Sequence, residues 1–360
     1  MAVTTEYLSG GRIQGRSDDA LLTAISQNSW KELARTTLTQ VGNTLDSGTF
    51  TAKDNLMVLI FGIKASTGQI ERLRFNADDG SNYARRYSED GGSDGTEASQ
   101  DHIELGMDSE DDEFAVLRIR NIANKEKLVI GHTVSRSPTG GGNAPKRLEV
   151  AGKWANTSNQ ITRIQVLDKA DEMSNNNFAS GSEIVVLGCD DDEANSGTNF
   201  WQELGNAELT SNGTLSSGTF TAKKYLWVQI LVKNTSDDSL AMQFNDTGGT
   251  AYANRRNYNG ATDSTRPDKP NAHLQSNTNN QDWWFFSNYI INKSDKEKLV
   301  ITHGASDSGN AGTSYAGNRL EYVSKWADTS NQITKIDIED DAGNFNSVAS
   351  GSLIRVWGSD

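Results

Sequence analysis

The chain has 360 residues, a formal net charge of −14 and a hydrophobic fraction of 35%. Because an acidic surface repels phosphate, this charge argues against sequence-independent binding of nucleic acid. The single cysteine, Cys189, excludes an intrachain disulfide. The sequence is rich in Gly, Ser, Thr, Asn and Asp and poor in helix-forming runs, which is typical of many short strands joined by polar turns.

Residues 1–28 contain neither the basic region nor the apolar core of a secretory signal. No apolar run in the chain reaches the roughly 18 residues of a membrane span, so we expect synthesis in the cytoplasm and no membrane partner. Two interpretations of this segment stay open: a loose leader, or an arm that is ordered by docking on another subunit or particle. The second requires a surface that buries its apolar side chains, among them Leu8, Ile13, Leu21 and Leu22.

An internal duplication organises the rest of the chain. The stretch Lys153–Thr162 returns as Lys325–Thr334 with a single change, from Asn156 to Asp328. Trp154 and its counterpart are expected to anchor a core at a strand end. The residues that follow are expected to form a turn in which side-chain oxygens cap backbone amides.

The duplicated segments predict two domains of one kind. Each copy holds about eight short strand-like segments within about 160 residues, with turn signals between them. We therefore expect an all-β chain of two tandem homologous antiparallel β-sandwich domains, jelly-roll-like in topology, with an extended N-terminal arm. The boundaries are 1–28 for the arm, 29–188 for repeat 1, 189–198 for an acidic linker and 199–360 for repeat 2.

One strand shows which of its faces is buried. Alternate positions stay aliphatic in both copies, whereas Leu59 on the other face becomes Gln229. Because successive side chains in a strand point to opposite faces, the aliphatic set is predicted to face the core. That set is Leu56, Val58 and Ile60 in repeat 1 and Leu226, Val228 and Ile230 in repeat 2.

Two tryptophans occur on the faces predicted to point outward. Trp227 replaces Met57, and Trp357 replaces Leu187. Exposed aromatic rings at these places predict a contact with another domain or subunit. The alternative is a platform that binds glycans, because aromatic faces stack on sugar rings.

The ionisable residues do not form a recognisable catalytic motif. No nucleophile elbow, phosphate-binding loop or zinc motif occurs, so neither catalytic residues nor a bound cofactor is predicted. His132 and His303 occupy the same place in the two repeats and are interpreted as hydrogen-bonded structural residues. The repeated acids Glu149 and Glu321 are interpreted as partners of nearby basic residues.

One turn of repeat 1 is a candidate for structural Ca²⁺. Asp78, Asp79 and Asn82 lie within five residues and offer the oxygen ligands that this ion prefers. Repeat 2 has Thr247 and Gly248 in place of the two carboxylates, so the site would be weak and confined to repeat 1.

The order of the repeated motifs resembles the β-sandwich modules of virion proteins from tailed phages and related environmental viruses. The resemblance covers roughly 29–188 and 199–358 and contains no diagnostic catalytic motif. It rests on Trp-x-Glu-Leu, Ser-Gly-Thr-Phe-Thr-Ala-Lys, Lys-Glu-Lys-Leu-Val and Lys-Trp-Ala-x-Thr-Ser-Asn-Gln-Ile. Modules of this kind act as capsid decorations, knobs or short fibres.

The resemblance implies a non-enzymatic structural protein of the virion. It would be a homo-oligomer that contacts other virion proteins, above all the capsid, partly through the N-terminal arm. Two alternatives remain open at this point. One is a carbohydrate-binding module that recognises a host receptor or another glycan, and the other is a capsid protein that forms a lattice from tandem jelly rolls.

Overall fold

The structure is a computed structural model in which the described residues form strands and turns, with no helix among them. None of the described segments could therefore cross a membrane as a helix. The structure describes residues 7–8, 12–13, 30–65, 71–106, 111–136, 138–167, 177–191, 199–235, 239–274, 283–307, 317–340 and 347–360.

A short antiparallel pair precedes the two repeats, formed by β1 (Tyr7–Leu8) and β2 (Arg12–Ile13). The described part of repeat 1 then contributes twelve strands. They are β3 (Lys31–Thr37), β4 (Thr44–Thr49), β5 (Asn55–Gly62), β6 (Arg72–Phe75), β7 (Tyr83–Glu89), β8 (Gly95–Gln100), β9 (Ile103–Glu104), β10 (Glu113–Arg120), β11 (Lys127–Ser135), β12 (Lys146–Trp154), β13 (Arg163–Leu167) and β14 (Glu183–Cys189).

Repeat 2 has the same number of strands over its described residues. They are β15 (Gln202–Glu208), β16 (Leu215–Ser216), β17 (Tyr225–Val232), β18 (Leu240–Phe244), β19 (Tyr252–Tyr258), β20 (Ser264–Lys269), β21 (Ala272–His273), β22 (Trp284–Ile291), β23 (Lys298–Ser306), β24 (Arg319–Trp326), β25 (Ile336–Asp340) and β26 (Leu353–Ser359).

Each repeat is a sandwich of an eight-stranded and a four-stranded antiparallel sheet. In repeat 1 the orders are β3-β14-β5-β10-β11-β12-β7-β8 and β4-β13-β6-β9. The orders in repeat 2 are β15-β26-β17-β22-β23-β24-β19-β20 and β16-β25-β18-β21, which is the same topology strand for strand. The chain passes repeatedly from one sheet to the other, as in a jelly roll. The predicted fold class, two tandem antiparallel β-sandwiches, is confirmed.

The core of each sandwich contains the residues that comparison of the two copies predicted to face inward. Leu56, Val58 and Ile60 are fully buried in repeat 1, and their counterparts are fully buried in repeat 2. Trp154 closes this core at the end of β12, where its ring stacks on Tyr83 with 6.3 Å between centroids. The same stack occurs in repeat 2 between Trp326 and Tyr252, at 6.1 Å.

The turn after Trp154 forms as the sequence predicted. The Asn156 side-chain oxygen accepts hydrogen bonds from the backbone amides of Ser158 and Asn159, at 2.8 and 2.9 Å. In repeat 2, Asp328 accepts the equivalent pair of bonds. One carboxylate or amide oxygen thus caps two amides, which explains why either Asn or Asp serves at this position.

The turn also explains how Ile161 and Ile164 are both buried although their positions differ in parity. Ile161 precedes β13, and its backbone is held at both ends by the side chain of Asn121. The pairing of β13 with β4 then shifts register between Arg163 and Gln165. A β-bulge of this kind changes which residues face the core.

A third apolar layer lies between the two repeats. The outer face of β5, predicted to point outward, is buried: Met57, Leu59 and Phe61 have at most 1% of their surface exposed. They pack with residues of repeat 2 such as Tyr225 and Ile291. The outward assignment of this face was wrong for repeat 1, because its eight-stranded sheet is covered on both sides and the molecule is four sheets deep.

The start of the acidic linker is tied to repeat 1. Strand β14 continues to Cys189, one residue beyond the predicted end of the domain. Asp190 then pairs with Lys53 at 2.8 Å, and Asp191 pairs with Arg120. The remaining linker residues, 192–198, lie outside the described residues.

The Leu59/Gln229 pair offers a test of the buried layer. Leu59→Gln should destabilise the full chain by about 2–4 kcal/mol, because it places an amide without a prepared partner in a dry interface. Gln229→Leu, at the equivalent and partly exposed position, should change stability by less than about 0.5 kcal/mol. Urea unfolding followed by tryptophan fluorescence measures both. Equal losses of unfolding free energy in the two variants would contradict the burial of Leu59 between the repeats.

Candidate binding cleft between the repeats

The two eight-stranded sheets meet so that equivalent residues touch. His303 Nε2 lies 3.1 Å from His132 Nδ1, and these residues occupy matching positions in β23 and β11. Arg118 donates a hydrogen bond to the hydroxyl of Tyr289 at 2.5 Å, and these also match. At this point the repeats face each other like the subunits of a two-fold dimer.

One end of the interface is closed by packing and charge. Phe114 lies against Tyr225, with 6.3 Å between ring centroids. The Glu183 carboxylate, 2% exposed, accepts hydrogen bonds from Lys224, the Tyr225 hydroxyl and Arg35. Burial raises the pKa of Glu183, but hydrogen bonds from Lys224, Thr37 and Tyr225 outweigh it and hold this pKa below its ordinary value. The buried charge is thus fully hydrogen-bonded, as stable burial requires.

The other end of the interface is open. Leu128, Ile130 and Phe285 are 57%, 59% and 45% exposed. Between the sheets lies a cavity of about 510 Å³. Its apolar lining includes Met57, Val116, Ile130, Trp227, Phe285 and Ile301, and its polar lining consists of Arg118, His132, Gln229, Ser287 and His303. We call this cavity the inter-repeat cleft.

Aromatic rings form one wall of the cleft. Trp227 stacks on Tyr289, with 5.9 Å between centroids and an angle of 7° between the planes. Trp357 and Trp201 lie 5.1 and 6.0 Å from Trp227. The Trp227 indole N–H donates to the Ser287 hydroxyl at 3.1 Å. Trp227 and Trp357, predicted to contact another domain or subunit, contact each other and pack against the apolar layer between the two repeats.

The histidine pair forms the floor of the cleft. One ring donates its N–H to the other, so the accepting nitrogen can gain a proton only if this bond breaks. Burial lowers the pKa of His303 to about 4, and Arg118 and Arg147 oppose its protonation further. Burial, followed by the neighbouring His303, lowers the pKa of His132 well below its ordinary value. Both rings are therefore neutral near pH 7.

A pair of glutamates lies beside the histidines. Glu149 is the cross-strand neighbour of His132, and Glu321 is that of His303. Burial raises the pKa of Glu149 to about 7, Arg147 lowers it, and the adjacent Glu321 raises it again. Arg147 pairs with Glu149. It also donates hydrogen bonds from Nε and Nη2 to the two carboxylate oxygens of Asp263 in repeat 2, at 2.8 and 2.9 Å. The glutamates thus pair with a neighbouring arginine, as predicted for a structural role.

The other predicted site residues lie elsewhere. Asp78 accepts hydrogen bonds from the Gly80 amide, Asn82 and the Trp154 indole N–H, the last at 2.7 Å. These donors engage both carboxylate oxygens of Asp78 and join the turn to the core, whereas the Ca²⁺ assignment to Asp78, Asp79 and Asn82 stays a prediction. No cluster of three metal-ligating His, Cys, Asp or Glu residues occurs in the part of the chain that the structure describes.

The N-terminal candidates are only partly within the described residues. Leu8 and Ile13 belong to the short pair β1–β2, in which Leu8 pairs with Arg12 and Ile13 with Tyr7. Leu21 and Leu22 lie outside the described residues. The described part of repeat 1 begins at Trp30, which lines the inter-repeat cleft.

The inter-repeat cleft itself was missed by the sequence reasoning. One signal could have indicated it: Leu56–Phe61 is an unbroken apolar run, which is typical of a strand buried on both faces. The duplication, however, shows only which residues are equivalent. It contains no signal that His132 and His303 are in contact.

Comparisons with known proteins leave the chain without a family. No family model matches the sequence, and no curated protein matches it. Among solved structures, domains LG4-5 of the mouse laminin alpha1 chain match at 11% identity and a TM-score of 0.20, over 99% of this chain and 92% of that one. An acyl-CoA hydrolase from Agrobacterium tumefaciens matches at 7% identity and a TM-score of 0.12, over 63% and 77%. Scores this low carry no argument about function.

The histidine pair predicts a specific pH dependence. Because the folded chain holds both histidine pKa values below 6.5, their contribution to stability is present above pH 6.5 and is lost as pH falls towards 4. Glu149 acts in the opposite direction, since its raised pKa gives a contribution that is lost as pH rises through about 7. The charged groups around the pair are Arg118, Arg147, Glu149, Glu321 and Asp263.

The double variant His132→Gln/His303→Gln should lose less stability on acidification than the wild type. Between pH 6.5 and 4.5, we expect its Tm to fall by a few degrees less. The measurement is calorimetry of the full chain at several pH values. Val41→Gln, at an exposed residue of repeat 1, is the control and should follow the wild type. Parallel plots of Tm against pH for all three proteins would contradict the role of the histidine pair in the loss of stability at low pH.

Proposed function

We propose that this chain is a non-enzymatic structural protein of a virus particle, a capsid decoration or appendage that acts through protein–protein contacts. The motif order of the two repeats suggests this class of protein. The four-sheet architecture supports a rigid building block, because a large apolar interface between domains opposes relative motion. Buried ion pairs across that interface, such as Glu183 with Lys224 and Arg147 with Asp263, add further links.

The observation that carries the proposal is the strip of exposed apolar side chains at the open end of the interface. Leu128 and Ile130 on β11 and Phe285 on β22 lie on the facing sheets of the two repeats. Contiguous exposed apolar surface marks a contact with a partner. Trp30, the first described residue of repeat 1, lines the adjacent cleft. We propose that the N-terminal arm, residues 1–28, and this strip bind one partner together.

The experiment is immunogold labelling of particles purified from the source that makes the chain, with an antibody raised against it. Labelling at a regular stoichiometry supports the proposal. Absence of label from particles, with the chain recovered entirely in the soluble fraction, would contradict it. Copy number separates a decoration from a lattice-forming capsid protein, since the latter would be present in hundreds of copies per particle.

Attachment should depend on the exposed strip and the arm. The double variant Leu128→Gln/Ile130→Gln should reduce attachment to particles at least about tenfold, because a tenfold loss corresponds to about 1.4 kcal/mol of lost contact free energy. Deletion of residues 1–28 should abolish attachment. Val41→Gln, at a residue that is 50% exposed on a loop of repeat 1, should attach normally. Co-sedimentation with stripped particles measures all three. Normal attachment of both altered forms would exclude this surface.

A glycan-binding module is the second candidate function, and the aromatic wall of the cleft is the observation in its favour. A sugar platform needs an aromatic ring with a free face. Trp227 is contacted by Trp201, Tyr289 and Trp357, which leaves little free face for a sugar. Binding on a glycan array that is lost in Trp227→Ala would nonetheless favour this function over the first.

A further inference from the structure

The inter-repeat cleft has the dimensions and lining of a small-molecule site. Its volume of about 510 Å³ lies within the range of roughly 300–1,000 Å³ that is usual for such sites. The walls are mostly apolar, and a few polar side chains converge in one region. A cavity of this composition favours a ligand with an apolar body and one polar end.

The charge in the cleft is positive. The Arg118 guanidinium is exposed to it and has no carboxylate partner among the described residues; its contacts are the hydroxyl and ring face of Tyr289. Arg355, on the facing sheet of repeat 2, is exposed and is likewise without an ion-pair partner in the described chain. In a chain with a net charge of −14, where carboxylates are plentiful, an unpaired arginine in a cavity is a binding feature for an anion.

The remaining polar groups suit a carboxylate at this end. Gln229 lies beside Arg355 in the sheet, and both Gln229 and Ser287 line the cleft. An amide N–H₂ can donate to a carboxylate oxygen alongside the guanidinium. The neutral histidine pair, by contrast, adds no second positive charge. One arginine with neutral donors matches a monovalent carboxylate better than a phosphate.

We propose that the inter-repeat cleft binds a small amphiphilic carboxylate of the fatty-acid type. The carboxylate pairs with Arg118, and the hydrocarbon tail lies against Ile130, Phe285 and Ile301. The tail removes part of the exposed apolar surface of Ile130 and Phe285 from water, which supplies the driving force. The tail and the proposed particle contact share Ile130 and Phe285, so a bound carboxylate would compete with a particle at these two residues. The titration uses the chain without particles and the labelling uses particles without added carboxylate, so failure of one proposal is distinguishable from failure of the other.

The test is calorimetric titration of the full chain with decanoate at pH 7.5, below the concentration at which it forms micelles. We expect binding of one decanoate per chain. Arg118→Gln should weaken it at least about tenfold, because the charge-assisted hydrogen bonds to the carboxylate are lost. Arg118→Lys should recover part of the affinity. Arg120→Gln is the matched control, since Arg120 lies on the same strand but pairs with Asp191, and it should bind like the wild type.

The ligand series separates the two halves of the proposal. Decanol keeps the tail and lacks the charge, and acetate keeps the charge and lacks the tail; both should bind at least about tenfold more weakly than decanoate. No binding of decanoate by the wild type would overturn the proposal. Equal binding by wild type and Arg118→Gln, or equal weakening by Arg118→Gln and Arg120→Gln, would also overturn it, because the ligand would then be held by the apolar strip alone or by general charge.

Discussion

The eight-stranded sheet of repeat 1 is apolar on both faces along β5 and β14, and the arrangement of the two repeats follows from that property. Its inner face is covered by the four-stranded sheet of the same repeat. Its outer face, with Leu59, Phe61, Val185 and Leu187 all buried, requires a second cover, which repeat 2 supplies. Leaving such a face in water would cost about 25 cal/mol for each Å² of apolar surface, so burial outweighs the entropy of holding two domains in one orientation. The buried ion pairs add little net free energy to this contact, because the cost of removing each charge from water nearly equals the attraction gained by pairing it.

The cleft arises because the outer faces of the two repeats no longer match. One row across the sheet of repeat 1 reads Val185, Leu59 and Val116, and the equivalent row in repeat 2 reads Arg355, Gln229 and Ser287. The apolar row is buried by the partner repeat, whereas the polar row cannot be covered without stranding its polar groups. The sheets therefore close at one end and diverge at the other. If the outer faces of the two repeats were equally apolar, the interface would be closed along its whole length. The polar residues on the outer face of repeat 2 therefore account for both the exposed strip and the cavity.

Sequence reasoning predicted the interior of each repeat and missed the relation between them. Inward positions such as Leu56 and Leu226 could be predicted because the alternation of side chains in a strand is a local property. Comparison of the two copies then shows which face keeps aliphatic residues. The prediction for the outer face of repeat 1 is wrong because Gln229 indicates exposure only in repeat 2, whereas Leu59 at the equivalent position packs between the repeats. The contact of His132 with His303 depends on how two folded domains dock, and no local pattern encodes it. The Trp154 indole N–H that donates to Asp78 comes from a distant part of the chain, so the sequence of the turn does not reveal this hydrogen bond.

The central claim is that the repeats meet face to face through equivalent residues. The most direct measurement is NMR of the full chain with isotope-labelled histidine. The chain has four histidines, so the spectrum contains few ring signals. The account predicts a nuclear Overhauser cross-peak between the ring protons of His132 and His303, whose centroids are 4.1 Å apart, and its loss in His303→Gln. Absence of any cross-peak between two histidine rings, with both rings titrating near the ordinary value of 6.5, would contradict the docking of the repeats described above.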